Sequence, residues 1–203
     1  MAAILTGDII NSRSTSDAEL WQVPLKRCLE RFGKSPVDWD VFRGDSFQLK
    51  VPTEDALRAA LMIKAAIKQA KRKTLDVRIA IALGMHSFYH GEYISESISD
   101  PFIYSGELLD KIKSEKKSLG FTSESEQLDK EMNMLLLLAS AIIDGWSENA
   151  AEVAELIFSE SSITQKEIAK KIGITQSSVN ERIKRASLQE IIEFETYYRE
   201  RVQ

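Results

Sequence analysis

One segment near the C-terminal end of the chain constrains its fold more than any other. It reads ITQKEIAKKIGITQSSVNERIKRA over residues 163–186, with a threonine before each of two helical patterns and a single glycine between them. Thr164 and Thr175 are typical N-cap residues, and Gly173 suits the tight turn that ends one helix before the next begins. The segment therefore predicts two short helices joined by a turn.

Hydrophobic spacing divides each predicted helix into a buried and an exposed face. Ile168, Ala169 and Ile172 recur on one side of the first helix, and Val179 and Ile183 lie four residues apart in the second. The small Ala169 lets the two helices approach closely. The outward residues combine donors to phosphate with side chains that read base edges. They are Thr164, Gln165, Lys166, Gln176, Ser177, Ser178, Asn180, Glu181, Lys184 and Arg185.

Local charge agrees with contact to nucleic acid. The whole chain carries a net charge of −4, but residues 161–189 hold six Lys/Arg against two acids. The spacing resembles the helix-turn-helix of many bacterial transcription regulators, which implies that this segment binds DNA. Two alternatives remain open, namely a helical hairpin with a solvated basic face and a dimerisation module. The following LQEIIEFETYYRERV is amphipathic and acidic, which is typical of a closing or dimerisation helix.

The first 125 residues alternate between strand and helix signals. Apolar runs at 2–10, 37–51 and 75–84 predict strands, with a hairpin turn at 43–46, and amphipathic patterns between them predict helices. The order β-α-β-β-α-β is that of ferredoxin-like and palm domains, with both helices on one face of an antiparallel sheet. Residues 126–203 read as helical throughout. We therefore expect an α+β fold, with a palm-type domain over 1–125 and an all-α helix-turn-helix domain over 126–203.

Two aspartates follow strand signals in the first half of the chain. Asp8 ends the first strand and Asp45 lies in the hairpin turn, so the expected fold brings them close together. Carboxylate pairs suit Mg²⁺ or Mn²⁺ bound to a nucleotide, and this predicts a metal site. The alternative is that both are turn formers, since Gly-Asp is common in turns. Candidate nucleotide-binding residues are Asn11, Ser12, Arg13, Arg43, Ser105 and Lys111.

Two family resemblances rest on these motifs. TGDII and FRGDSFQ resemble the palm of class III nucleotidyl cyclases and of GGDEF-type diguanylate cyclases, which implies a metal-bound nucleotide at Asp8 and Asp45. The helix after the long loop offers Ser105 and Lys111 or Lys113 where cyclases place Asn and Arg, and this favours nucleotide sensing over cyclisation. Across the chain, LTGDIINSR, FRGDSFQ, VRIAIALG and YSGELLDKIK are similar to the bacterial SatD family, whose function is unsettled.

Composition excludes several other classes of protein. A single cysteine, Cys28, excludes an internal disulfide, and two histidines argue against a His-rich metal site. The N-terminal residues lack a basic leader, and the apolar run at 134–143 is too short to span a bilayer, so we expect a cytoplasmic protein without a membrane partner. The first hypothesis is a homodimeric DNA-binding regulator that senses a nucleotide. The alternatives are a metal-dependent nucleotidyl cyclase or nucleotidyltransferase, and an oligomeric adaptor.

Overall fold

A five-stranded sheet and eight α-helices make up the described part of the chain. The computed structural model describes residues 2–12, 17–42, 44–70, 74–84, 94, 100–160 and 162–203. The strands are β1 Ala2–Ile10, β2 Trp39–Phe42, β3 Ser46–Pro52, β4 Asp76–Gly84 and β5 Leu119–Thr122. The helices are α1 Glu19–Leu29, α2 Ala56–Lys68, α3 Asp100–Ser114, α4 Glu126–Ile143, α5 Glu148–Ser159, α6 Gln165–Ile172, α7 Gln176–Arg185 and α8 Leu188–Val202. The predicted mixture of helices and strands is confirmed.

β1 lies at the centre of the sheet, in which the strand order is β2-β3-β1-β4-β5. It pairs antiparallel with β3 and with β4, while β5 runs parallel to β4 at the edge. This register places Asp8 level with Ser46 on one side and Arg78 on the other. Gly7 allows a close approach here, since a Cβ at this position would lie 2.4 Å from the Phe47 ring. The residues around Asp8 are therefore fixed by three strands.

Helices cover both faces of the sheet. α1 and α2 pack together on one face, where Leu25 and Leu61 join Leu5 in the main hydrophobic core. α3 lies against β1, β4 and β5, and Phe102 forms a smaller apolar cluster with Ile4 of β1. Alternate residues of β1 thus serve two different layers, because successive strand side chains point to opposite faces.

The hydrophobic core continues from the sheet into the helices that follow residue 126. α5 packs along α2, and the Nε of Arg58 donates to the Phe158 carbonyl at 2.6 Å. α8 returns to the segment before α2, where the Tyr198 hydroxyl donates to the Thr53 carbonyl at 2.9 Å. α2 therefore supports both the sheet and the C-terminal helices. Among the described residues, no helix has the length and apolar content needed to cross a membrane.

Thr53 is a typical N-cap residue by type, but it does not cap α2. Thr53–Asp55 form a short 3₁₀-helix, and α2 begins at Ala56 without a side-chain cap. Thr53 lies within that turn, and its carbonyl accepts the hydrogen bond from Tyr198 instead. The local sequence contains no signal for this contact, which depends on α8.

Candidate functional site

α6 and α7 are joined through Gly173, which has a left-handed backbone with φ +70°. Thr164 caps α6 through a reciprocal pair of hydrogen bonds, in which Glu167 N donates to the Thr164 hydroxyl at 3.3 Å and Thr164 N donates to the Glu167 carboxylate at 2.8 Å. The bond from the Thr164 backbone, with a smaller effect of its hydroxyl, holds the pKa of Glu167 below its usual value. Thr175 caps α7 by accepting from Ser178 N at 3.1 Å. Both predicted caps and the predicted turn are confirmed.

The apolar positions of both helices turn inward as their spacing predicted. Ile168, Ala169 and Val179 are buried, and Ile172 and Ile183 are partly buried against the main core. This packing fixes which face of α7 remains open to solvent.

α5 contacts one side of α7. Arg182 leans toward α5, and its Nη1 lies 2.7 Å from a carboxylate oxygen of Glu152. The Trp146 indole, next to the start of α5, donates to the Ala186 carbonyl at the end of α7 at 3.0 Å. Both contacts hold the C-terminal half of α7 against α5 and against Trp146 just before it.

The open face of the segment carries the residues predicted to contact DNA. Thr164, Lys166, Gln176, Ser177, Glu181, Lys184 and Arg185 are exposed, and Gln165, Ser178 and Asn180 are partly exposed. Arg185 pairs with Glu181 one helical turn away at 3.0 Å, where both side chains are mostly in solvent. Lys171 pairs with Glu160 at 2.5 Å. A groove of about 490 Å³ separates α7 from the first turn of α5, and Ser147, Ser178 and Arg185 contribute to its walls.

A second candidate region is a cleft of about 550 Å³ between the sheet and α3. Asp8 lies on its floor and is nearly buried. The Nη1 of Arg78 is 3.0 and 3.1 Å from its two carboxylate oxygens, and the Nζ of Lys113 is 3.3 Å away. The remaining walls are mostly polar and comprise Thr6, Phe42, Ser46, Gln48, Gly106, Leu109 and Asp110.

Asp45 lies beside Asp8 along the backbone but makes separate contacts. Its carbonyl accepts from Ile9 N at 3.0 Å, which places the hairpin turn next to the end of β1 as predicted. Its carboxylate, however, accepts from the Ser12 hydroxyl at 2.5 Å, and Asp45 does not line the cleft that contains Asp8. Among the described residues there is no group of three or more His, Cys, Asp or Glu side chains able to hold a metal ion. In this arrangement the Asp8 and Asp45 carboxylates have different hydrogen-bond and ion-pair partners.

The residues predicted to bind a nucleotide are dispersed. The amide of Asn11 donates to the Thr74 carbonyl at 2.8 Å. Ser105 is fully buried and forms a 2.7 Å hydrogen bond with Thr6. Lys111 lies on another side of α3, in a groove next to Glu115. None of these three, nor Ser12, lines the cleft at Asp8, and Arg13, Arg43, His86 and His90 lie outside the described residues.

Sequence comparison places the chain in a family. The model of the SatD family matches residues 2–202. The chain belongs to the SatD family. Comparison with curated proteins and with solved structures gives no significant match. Membership in the SatD family thus accounts for nearly the whole chain, including both candidate regions, and the resemblance drawn from LTGDIINSR and the other three segments is confirmed at the level of the family.

Several cleft residues of this SatD-family member were not predicted from sequence. Arg78 is the one basic residue in the strand sequence DVRIAIALG, and a charged side chain in a buried strand is a signal for a charged partner. Gln48 and Ser46 alternate with the core residues of β3, which places them on the cleft side. Of Lys111 and Lys113, which the sequence left as alternatives on α3, Lys113 is the one that reaches Asp8. Their convergence depends on the strand register and on the rotation of α3.

Proposed function

We propose that this SatD-family protein binds DNA through a helix-turn-helix at residues 163–186 and acts as a transcriptional regulator. The observation that carries the proposal is the pair of capped helices around Gly173, with a polar face of α7 left open to solvent. A recognition helix must present side chains that hydrogen-bond with base edges while its opposite face packs in the protein. Gln176, Ser177 and Asn180 meet this requirement. Their side chains are exposed or partly exposed, whereas Val179 of the same helix is buried.

The arrangement of cations supports contact with the phosphate backbone. Lys166 near the start of α6 and Lys184 near the end of α7 are exposed, whereas Lys171 and Arg182 form ion pairs with Glu160 and Glu152. Lys184 would therefore supply positive charge at the end of α7, and Lys166 would supply it at the start of α6. Phosphate contacts of this kind position the protein on DNA without specifying sequence.

The groove beside α7 supports a further backbone contact. Arg185 borders this groove together with Ser147, which caps the first turn of α5. Backbone N–H groups at a helix N-terminus favour anions, and a guanidinium next to them adds charge. We include this groove in the proposed DNA-binding surface because it adjoins the exposed side of α7.

The sheet domain is proposed to supply the input. Its strand order β2-β3-β1-β4, with antiparallel pairing, supports the ferredoxin-like, palm-type arrangement expected for residues 1–125. The cleft at Asp8 is large enough for a small ligand, and Phe42 and Gln48 offer a ring face and an amide. A nucleotide remains the proposed ligand. Cyclase or transferase activity receives less support, because Asp8 is already paired with Arg78 and Lys113.

DNA binding can be tested by fluorescence polarisation with a labelled mixed-sequence duplex over a range of salt concentrations. Removal of one cation that binds a DNA phosphate should reduce the slope of log K against log salt by about 0.9. Lys184→Ala/Arg185→Ala is therefore expected to weaken binding and to flatten this slope by roughly 1.8 per chain. Lys26→Ala/Arg31→Ala, on α1 and just after it, is the matched control, since it removes the same charges from exposed positions outside α6 and α7.

Two results would contradict the proposal. The first is the absence of any polarisation change at low salt, where nonspecific contacts are strongest. The second is an equal loss of binding in the α1 control, which would assign the effect to net charge alone. Nucleotide sensing is tested separately by thermal stabilisation with nucleotides, with and without Mg²⁺, because a ligand of the native state raises the melting temperature by mass action.

A further inference from the structure

The outer face of α4 carries a stripe of exposed apolar side chains. Met134, Leu137 and Leu138 are 59, 50 and 62% exposed, and Ala141 on the next turn is exposed as well. Their spacing of three, four and seven residues places all four on one face of the helix. Single exposed apolar residues are ordinary on protein surfaces, but a contiguous stripe marks an interaction surface. We call these four residues the α4 stripe.

The opposite face of α4 is already buried within the chain. Met132, Leu136, Ala139 and Ile143 belong to the main core. α4 is thus apolar on two faces, of which the fold covers one. An exposed apolar stripe of this length on a helix that already buries its opposite face is a candidate surface for a second contact.

We propose that the α4 stripe is a homodimer interface, in which α4 packs antiparallel to α4 of a second copy about a twofold axis. An axis between Leu137 and Leu138 places the leucines of the two copies together and sets Met134 opposite Ala141. A large side chain then meets a small one on either side of the axis, which lets the helices approach closely. A twofold contact of this type is closed, so it produces a dimer and not a filament.

Charge at the two ends of the stripe favours a second copy in this orientation. Lys130 lies one turn before Met134 and is 76% exposed, although it also pairs with Glu126 of its own helix at 2.7 Å. Asp144 lies just beyond Ala141; one of its carboxylate oxygens binds Lys64 at 2.6 Å, and its side chain is 43% exposed. In the antiparallel pair Lys130 of each copy lies within one residue of the level of Asp144 of the other, which allows two complementary contacts. A parallel pair would instead bring the two Lys130 side chains together, and like charges at an interface oppose association.

α8 does not offer a comparable surface. Leu188, Ile191, Tyr198 and Val202 are buried within the same chain, Ile192 and Phe194 are partly buried against the core, and Tyr197 is 40% exposed. Of the two roles that its sequence suggested, α8 therefore performs the closing role, and the α4 stripe remains as the surface for a second copy. The dimer does not depend on DNA binding, so either proposal can fail while the other stands.

The oligomeric state tests the interface directly. Light scattering after size exclusion should give a mass of twice the 22.9 kDa chain, falling toward one chain on dilution. Leu137→Glu/Leu138→Glu should raise the dissociation constant by at least about 100-fold, because each dimer would bury unpaired carboxylates. Val23→Glu/Val37→Glu is the matched control, since these residues are 59 and 54% exposed and lie outside α4. The control should remain dimeric.

Cysteine cross-linking tests the orientation and does not rely on a disruptive variant. Met134→Cys/Ala141→Cys should form a covalent dimer on mild oxidation, whereas Met134→Cys alone should not, because only an antiparallel pair sets position 134 opposite position 141. The native Cys28 is buried and should not contribute. Three results would each overturn the proposal. The first is a wild-type monomer at about 100 μM. The others are a dimer that survives Leu137→Glu/Leu138→Glu with native circular dichroism, and equal cross-linking by Met134→Cys alone.

Discussion

Lys64 provides a test of the buried ion pairs that join the sheet to α4. Its side chain is fully buried on α2, and its Nζ lies 2.9 Å from Asp76 of β4 and 2.6 Å from Asp144 at the end of α4. Lys68 lies 3.0 Å from the second carboxylate oxygen of Asp76. The four groups are electrically balanced, with two cations and two anions. Replacing Lys64 by methionine keeps the apolar stem but leaves one negative charge in excess.

The expected cost follows from what remains around each carboxylate. Removing one partner of a buried ion pair destabilises proteins by about 3–5 kcal/mol. Asp76 retains Lys68 as a partner, and the Asp144 side chain is 43% exposed and therefore partly screened by water. The expected loss of unfolding free energy in Lys64→Met is therefore near the lower limit, at about 3 kcal/mol. For a chain of this length that corresponds to a fall in melting temperature of roughly 6–12 °C.

Urea unfolding followed by circular dichroism measures this free energy at fixed protein concentration. The double variant Lys64→Met/Asp76→Asn restores charge balance, so it should recover about 1 kcal/mol or more relative to Lys64→Met. Asp76→Asn alone serves as its control and should be destabilised, because it leaves an unpaired cation. If Lys64→Met unfolds at the wild-type urea concentration, or if the double variant is no more stable than the single one, the reasoning about charge balance is wrong.

Two further predictions concern backbone conformation and pH. Gly173→Ala should lower the free energy of unfolding by about 1 kcal/mol, because φ at Gly173 is +70°. Gly106→Ala within α3 is the control and should be neutral or stabilising, because a Cβ there would meet nothing within 4 Å. Urea unfolding of both variants checks this. Burial raises the pKa of the Cys28 thiol from 9.0 to about 12. As the pH rises, the thiol of the unfolded chain ionises before the buried thiol of the folded chain does. The contribution of the neutral, buried thiol to the free energy of unfolding is therefore complete below pH 9 and is lost as pH rises toward 12. Wild-type protein should therefore lose stability relative to Cys28→Ala between pH 8 and pH 10, by about 1 kcal/mol. An unchanged difference between the two proteins would contradict this.

The features predicted correctly from the sequence are those that depend on near neighbours. Thr164, Gly173 and Thr175 act within three or four residues of themselves, so their cap and turn geometry is encoded locally. The hairpin is local as well, because β2 and β3 follow each other in the sequence and pair directly. The inward positions of α6 and α7 follow from helical periodicity, which sequence reports directly.

The cleft was harder to predict because its residues converge through packing. Lys113 rather than Lys111 reaches Asp8, since the rotation of α3 is set by Phe102 against Ile4 and by Ser105 bonded to Thr6. A helix pattern does not specify that rotation relative to a distant strand. In the same way Asp8 and Asp45 are close along the backbone, yet they bind different partners.

The contact of α8 with the start of α2 has a consequence for the order of folding during synthesis. The turn before α2 that Tyr198 contacts is translated long before Tyr198 itself, and the Thr53 carbonyl gains this partner only after more than a hundred further residues are added. The sheet and α2 therefore leave the ribosome with the surface that α8 will cover still exposed, and α8 covers it only near the end of synthesis. We expect ribosome-bound chains that end before α8 to be protease-sensitive across α2, so that the N-terminal half matures together with the C-terminal helices and not ahead of them.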